Sequence, residues 1–85
     1  MFQKIKAIEP KDNFMLCATF ENGEVREYDV KPLFDEIPDF EELKLINGLF
    51  KQVKVDVGGY GIVWNSRIDL SSDEIYEHGK VVEHV

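Results

Sequence analysis

Asn13-Phe14-Met15-Leu16-Cys17-Ala18-Thr19-Phe20-Glu21-Asn22-Gly23-Glu24-Val25-Arg26-Glu27-Tyr28-Asp29-Val30 reads as a β-hairpin, and its register decides the fold. Side chains alternate across a strand, so Phe14, Leu16, Ala18 and Phe20 share one face and Met15, Cys17 and Thr19 the other. Asn22-Gly23 marks the turn. A two-residue loop of Asn22 and Gly23 sets Glu27 and Asp29 opposite Ala18 and Leu16, on the core face. A three-residue loop, Glu21-Asn22-Gly23 with Gly23 left-handed, instead pairs Leu16 with Tyr28 and Phe14 with Val30. Unpaired carboxylates are costly to bury, so the three-residue register is expected.

Upstream, Phe2 to Glu9 reads as a strand. Ile5 and Ile8 have opposite parity, which calls for a bulge or burial on both faces. Lys4 and Lys6 suit an edge strand. Glu9-Pro10-Lys11-Asp12 is expected to turn. Downstream, Lys31-Pro32-Leu33-Phe34 leaves the hairpin through a short turn. Pro38-Asp39-Phe40-Glu41-Glu42 opens a main helix, with Asp39 as cap, Glu42 completing a capping box, and Phe40, Leu43 and Ile46 as its apolar stripe. Gly48 stops it, and Leu49-Phe50 plugs the core. Val53, Val55 and Val57 alternate with Lys54 and Asp56. The loop Gly58-Gly59-Tyr60-Gly61 then returns Ile62 opposite Val57 and Trp64 opposite Val55. Ser71-Ser72-Asp73-Glu74 is a second capping box, opening a short helix that runs to His78 and ends at Gly79. The expected fold is α+β: an antiparallel sheet of two hairpin units in the order β-β-β-α-β-β-α, covered by one main helix and a short C-terminal helix. Residues 1–79 form a single α+β domain. Residues 80–85 form a tail that either frays or pairs as an extra strand.

An 85-residue chain buries only about 60–65% of its unfolded surface, so most of its apolar residues are needed for one core. The formal charge is −7, and residues 32–50 hold five acids against one base. That field repels nucleic-acid backbone and anionic lipid. One cysteine, Cys17, permits no disulfide within the chain, and no run has signal-peptide or membrane-spanning length. A reducing cytoplasm is the expected compartment.

The run Phe20-Glu21-Asn22-Gly23-Glu24-Val25-Arg26 continues through Tyr28-Asp29-Val30-Lys31-Pro32-Leu33-Phe34. It is followed by Phe50-Lys51-Gln52-Val53, Gly61-Ile62-Val63-Trp64, and Ile68-Asp69-Leu70 ahead of Ile75-Tyr76-Glu77. In order and spacing, these segments resemble the small bacterial family called domain of unknown function 2442, over nearly the whole chain. The resemblance implies a small α+β fold. It also implies relatives fused to a helix-turn-helix DNA-binding domain and others found beside small toxin-like proteins. This chain is expected to have no room for such a fused module. The resemblance brings no activity and no catalytic residue. Where the family often has a proline and a glycine, this chain has Asn65-Ser66-Arg67-Ile68, so the conformation of that loop does not carry over.

Cys17 is expected to face Glu27, which disfavours a thiolate, so it reads as a small sheet residue. His78 and His84 lack zinc-like spacing, and His78 suits a helix C-terminus. Gly58-Gly59-Tyr60-Gly61 joins strands and does not open a helix, so it reads as a hairpin turn, not a phosphate loop. Asp69 reads as a loop carboxylate satisfying backbone amides. Trp64 reads as core. The acids of the main helix and the loop-tip Tyr60 remain as contact residues, with Glu36, Glu41 and Glu42 foremost.

The expected function is therefore a non-enzymatic protein-interaction or regulatory accessory domain with an unidentified protein partner, a basic one fitting best. The alternative is a small-ligand sensor acting as a homodimer. No catalytic, cofactor or metal residue is assigned. Direct nucleic-acid binding would need Lys51, Lys54 and Arg67 on one face.

Overall fold

The hairpin forms in the register that spares the core two carboxylates. The computed structural model describes residues 3–82. In it β2 (Met15–Phe20) pairs with β3 (Val25–Asp29), placing Leu16 opposite Tyr28 and Cys17 opposite Glu27. The Phe20 amide bonds to the Glu24 carbonyl at 2.8 Å, and Gly23 takes φ 92°. Leu16, Ala18, Phe20, Tyr28 and Val30 are buried, while Glu27 and Asp29 face outward.

β1 (Ile5–Lys11) pairs antiparallel with β2, and the register slips between Ile5 and Ala7. This is the bulge that the parity of Ile5 and Ile8 required. The strand runs through Pro10 to Lys11, beyond the expected turn. The reversal falls at Asp12–Phe14, where Asn13 and Phe14 take φ 61° and 57°. Pro10 is tolerated in β1 because this is the outer strand of its sheet, where a missing N–H costs no ladder bond.

The segment between the hairpins is not one continuous helix. It consists of α1 (Leu33–Glu36), a 3-10 turn at Pro38–Glu41, α2 (Glu42–Leu45) and a second 3-10 turn at Phe50–Gln52. Pro38 opens the first turn, and no side chain caps either it or α2. Asp39 and Glu42 therefore do not form the expected capping box; Glu42 pairs instead with Arg67. Tightening to three residues per turn rotates the stripe. Phe40 and Leu43 are buried, but α2 stops at Leu45 and Ile46 is 49% exposed. Leu49 and Phe50 plug the core as expected.

The second sheet is β4 (Lys54–Val55), β5 (Gly61–Asn65) and β6 (Ile68–Ser71), antiparallel in that order. Val55 faces Ile62 and Lys54 faces Val63, so the expected pairs Val57–Ile62 and Val55–Trp64 do not form. The loop starts early because Asp56 makes it: its carboxylate accepts from the Val57 amide at 2.8 Å and its carbonyl from the Gly59 amide at 3.0 Å. Gly59, at φ 80°, lies so close to β1 that a Cβ there would sit 2.7 Å from the Ile5 carbonyl. Val57 is left 91% exposed. Val57→Ser is accordingly expected to change stability by less than about 0.5 kcal/mol in urea unfolding. A valine on the core face would cost more.

β6 corrects the reading of Asp69 as a loop residue. Asn65 Oδ1 accepts from the Arg67 and Ile68 amides at 2.9 and 3.0 Å, which turns the chain tightly. Ile68 and Leu70 are then buried, and Asp69 faces solvent opposite Val63. α3 (Ser72–His78) follows, with Ser71 Oγ accepting from the Glu74 amide and Gly79 at its end. β7 (Lys80–Val81) adds to β3, giving the first sheet the order β1-β2-β3-β7. The end of the tail, including His84, lies outside the described residues. The α+β class and its antiparallel hairpins are as the sequence indicated, but the two hairpin units form separate sheets. Their apolar faces and the buried Phe40, Leu43, Phe50 and Ile75 share one core.

Candidate functional site

Breaking the covering helix into four-residue pieces changes what it shows to solvent. Asp35, Glu36, Asp39 and Glu41 are exposed, and Ile37 and Leu45 are exposed among them, Leu45 to 70%. Glu42, expected as a contact residue, is half-buried and held by Arg67 of the β5–β6 turn. The structure thus separates the three glutamates. Glu36 and Glu41 are presented outward, while Glu42 joins the segment to the second sheet.

Glu36 meets partners that its sequence neighbours do not suggest. Tyr28, Asp29, Leu33, Glu36, Glu74 and His78 line a cleft of about 270 Å3. The Tyr28 hydroxyl donates to Glu74 at 2.9 Å, and His78 Nδ1 lies 3.2 Å from the same carboxylate. Burial pushes the Tyr28 phenol above its ordinary pKa, and the Glu74, Glu36 and Asp29 carboxylates add to the effect. Burial alone would raise the Asp29 carboxyl, but hydrogen bonds and charge from Lys31 outweigh it and hold the group below the ordinary range.

Tyr60 lines a different cleft, with Asp56 and Asp69. It is 52% exposed, and the Lys4 ammonium lies 5.3 Å from its ring centre. Trp64 is buried, with Nε1 donating to the Phe50 carbonyl at 3.1 Å. Cys17 is half-buried on the outer sheet face. Desolvation raises its thiol pKa; Glu27 and Glu9 push the same way, while Lys11 opposes them. Burial and the two carboxylates thus disfavour the nucleophilic form. Among the described residues no group of three His, Cys, Asp or Glu side chains is arranged to hold a metal ion. No helix there is long and apolar enough to cross a membrane.

A family model described as a protein of unknown function, domain of unknown function 2442, matches residues 5–81. The chain belongs to this family. The domain of unknown function 2442 match runs from the first residue of β1 to the last of β7, so both sheets and every cleft described above fall within it. A crystal structure of a candidate DNA-binding protein from Nitrosomonas europaea shares the fold, with a TM-score of 0.75 and 28% identity. The likeness covers 89% of this chain and 48% of that one, so this chain spans about half the length of that protein. No curated protein matches the chain.

The sequence reading missed a concentration of positive charge in this family member. Lys11, Lys44 and Lys51 line one cleft with Asp12 and Phe14. They come from the end of β1, from α2 and from the 3-10 turn after it, so no local pattern announces them. The three basic residues singled out from the sequence do not line it together. Of Lys51, Lys54 and Arg67, only Lys51 does.

Proposed function

We propose that this chain is a non-enzymatic protein-interaction module whose working surface is the acidic segment from Asp35 to Leu45, and that its partner offers basic and apolar side chains. One observation carries the reading. Six large hydrophobic side chains are exposed among the described residues, and three of them fall in or beside that segment: Ile37 and Leu45 inside it and Ile46 just after it. Scattered single apolar side chains need no explanation, but three in one short stretch of chain do. Its neighbours Asp35, Glu36, Asp39 and Glu41 are all exposed acids. Complementary charge would raise the association rate and exclude acidic competitors, while the apolar residues supply affinity.

The name of the Nitrosomonas protein suggests a second class of partner. Net charge argues against it here: a chain at −7 repels a phosphate backbone, and Arg67, one of its few cations, is already occupied by Glu42.

The test is capture from native lysate on immobilised wild-type chain, on a Glu36→Lys/Glu41→Lys variant and on Leu45→Ser. The expected result is a protein retained by the wild type, more strongly at low salt, and depleted at least about tenfold by both variants, a loss of about 1.4 kcal/mol. All three positions are exposed, so the variants should melt with the wild type. Identical sets of retained proteins on wild type and variants would sink the proposal.

A further inference from the structure

The lysine-lined cleft has features that neither the core nor the acidic surface requires. Its volume is about 300 Å3, and its ionisable lining is three lysines against one aspartate, in a chain with 17 acids and 10 bases. Lys11 is already paired, with Glu9 at 2.9 Å. Lys44 and Lys51 have no carboxylate partner among the described residues; the Lys44 ammonium instead lies 5.3 Å from the Phe34 ring centre. Like charges lining one cleft repel one another, and an acid-rich chain has many carboxylates with which to relieve them. Among the described residues, none lies within ion-pair reach of these two.

The rest of the lining mixes polar Asn13 and Asn47 with apolar Phe14, Leu43, Ile46 and Phe50. Phe14 and Phe50 meet edge-to-face at 5.2 Å, and Ile46 is half exposed beside them. Phe14 and its neighbour Asn13 are both left-handed, a conformation that costs a residue with a Cβ roughly 1–2 kcal/mol. The conformation is pinned from behind. The Lys31 ammonium donates to the Asn13 carbonyl at 2.7 Å, and the Val30 amide to the Phe14 carbonyl at 3.1 Å. Backbone strain maintained in this way gathers at ligand clamps.

We infer that this cleft binds a small organic anion, with one carboxylate or phosphate group held by Lys44 and Lys51 and an apolar body packed on Phe14 and Phe50. The volume lies at the small end of ligand sites, which fits a single ring or a short chain and excludes a dinucleotide. Lysine holds either anion as a point charge, so the geometry sets the charge and size of the ligand and leaves the choice of anion to the probe. The site lies within one chain, so it does not need a homodimer; it adjoins the acidic interaction surface, with Lys44 inside that segment and Ile46 shared by both.

The experiment is an amide-shift NMR titration of the full chain with phenyl phosphate, benzoate, inorganic phosphate and benzylamine. At least one of the two aromatic anions should move the amides of residues 11–14 and 43–51, and bind more tightly than inorganic phosphate. Benzylamine should leave those amides in place. Lys44→Gln/Lys51→Gln should weaken the aromatic anion at least about tenfold. Both lysines are exposed, so the variant should keep the wild-type spectrum elsewhere. In the wild type itself, raising salt from about 0.05 to 0.3 M should weaken binding several-fold. The inference is overturned if neither aromatic anion moves these amides at millimolar concentration, if benzylamine moves them equally, or if binding ignores both the double substitution and the salt.

Discussion

Trp64→Ala is expected to lower the stability of this chain by about 3–5 kcal/mol. A domain of this length has roughly 4–13 kcal/mol to lose, so the variant should sit at or near the edge of folding. Trp64 is 5% exposed and stands where β5 meets the helical segment. Its ring stacks on Phe50 at 6.1 Å and meets Phe40 edge-on at 5.9 Å. Its indole N–H satisfies the Phe50 carbonyl. Alanine removes all three contacts and leaves a cavity that the second sheet, only three strands wide, has little material to fill. Trp64→Phe separates the contributions. It keeps an aromatic ring and leaves the Phe50 carbonyl unpaired, which costs roughly 1–3 kcal/mol by itself. Urea unfolding should show both as lower midpoints with an unchanged slope. A loss under about 1 kcal/mol for the alanine variant would mean that Trp64 does not join the second sheet to the helical segment.

The sequence reveals Trp64 and the first hairpin for the same reason: in both, one arrangement of side chains is far cheaper than its competitor. A slip of one residue would bury Glu27 and Asp29, and Gly23 supplies the left-handed turn that prevents it. The second hairpin lacks such a penalty. Val53, Val55 and Val57 alternate, but moving Val57 into the loop exposes only one valine. That cost was outweighed by the Asp56 turn and by the close approach of Gly59 to Ile5. Both determinants need the tertiary structure to be seen. Phe40, Leu43 and Ile46 read as one helical stripe because a periodicity argument cannot tell an α-turn from a 3-10 turn over four residues. β6 went unread although Ile68 and Leu70 alternate around Asp69, because it is short and runs straight into the Ser71 cap. The lysine cleft was not legible at all. Lys11 is far in sequence from Lys44 and Lys51, and only the packing of the β1–β2 turn beside α2 brings them together.

Arg26→Ala is expected to cost roughly 2–4 kcal/mol, more than a residue on the second strand from an edge would ordinarily lose, because Arg26 fastens α3 to β3. Its side chain is only 15% exposed. Nη1 donates to the Tyr76 carbonyl, Nη2 to Glu24 at 3.0 Å, and the guanidinium lies 3.8 Å from the Tyr76 ring centre. The Tyr76 hydroxyl donates in turn to Glu24, which closes the ring of contacts. Arg26 Nε is buried without a partner among the described residues, an unmet donor that offsets part of the network's worth. Arg26→Lys should recover less than half of the loss, because an ammonium cannot present the planar fork or stack in the same way. The pH response is a further check. The Tyr76 hydroxyl, then Asn22 and Arg26, hold the Glu24 carboxyl below its ordinary value of 4.5. A depressed carboxyl stabilises the fold above that value, and the contribution fades as pH falls through the lower folded-state pKa. Wild type should therefore lose stability on acidification more steeply than Glu24→Gln, which has no such carboxyl to protonate. If Arg26→Ala unfolds at the wild-type urea midpoint, α3 is held by the burial of Ile75 and by the Tyr28–Glu74, Tyr76–Glu24 and Phe20–Tyr76 contacts without help from Arg26. The cleft that Glu74 and His78 share with Tyr28 and Glu36 would then owe nothing to Arg26.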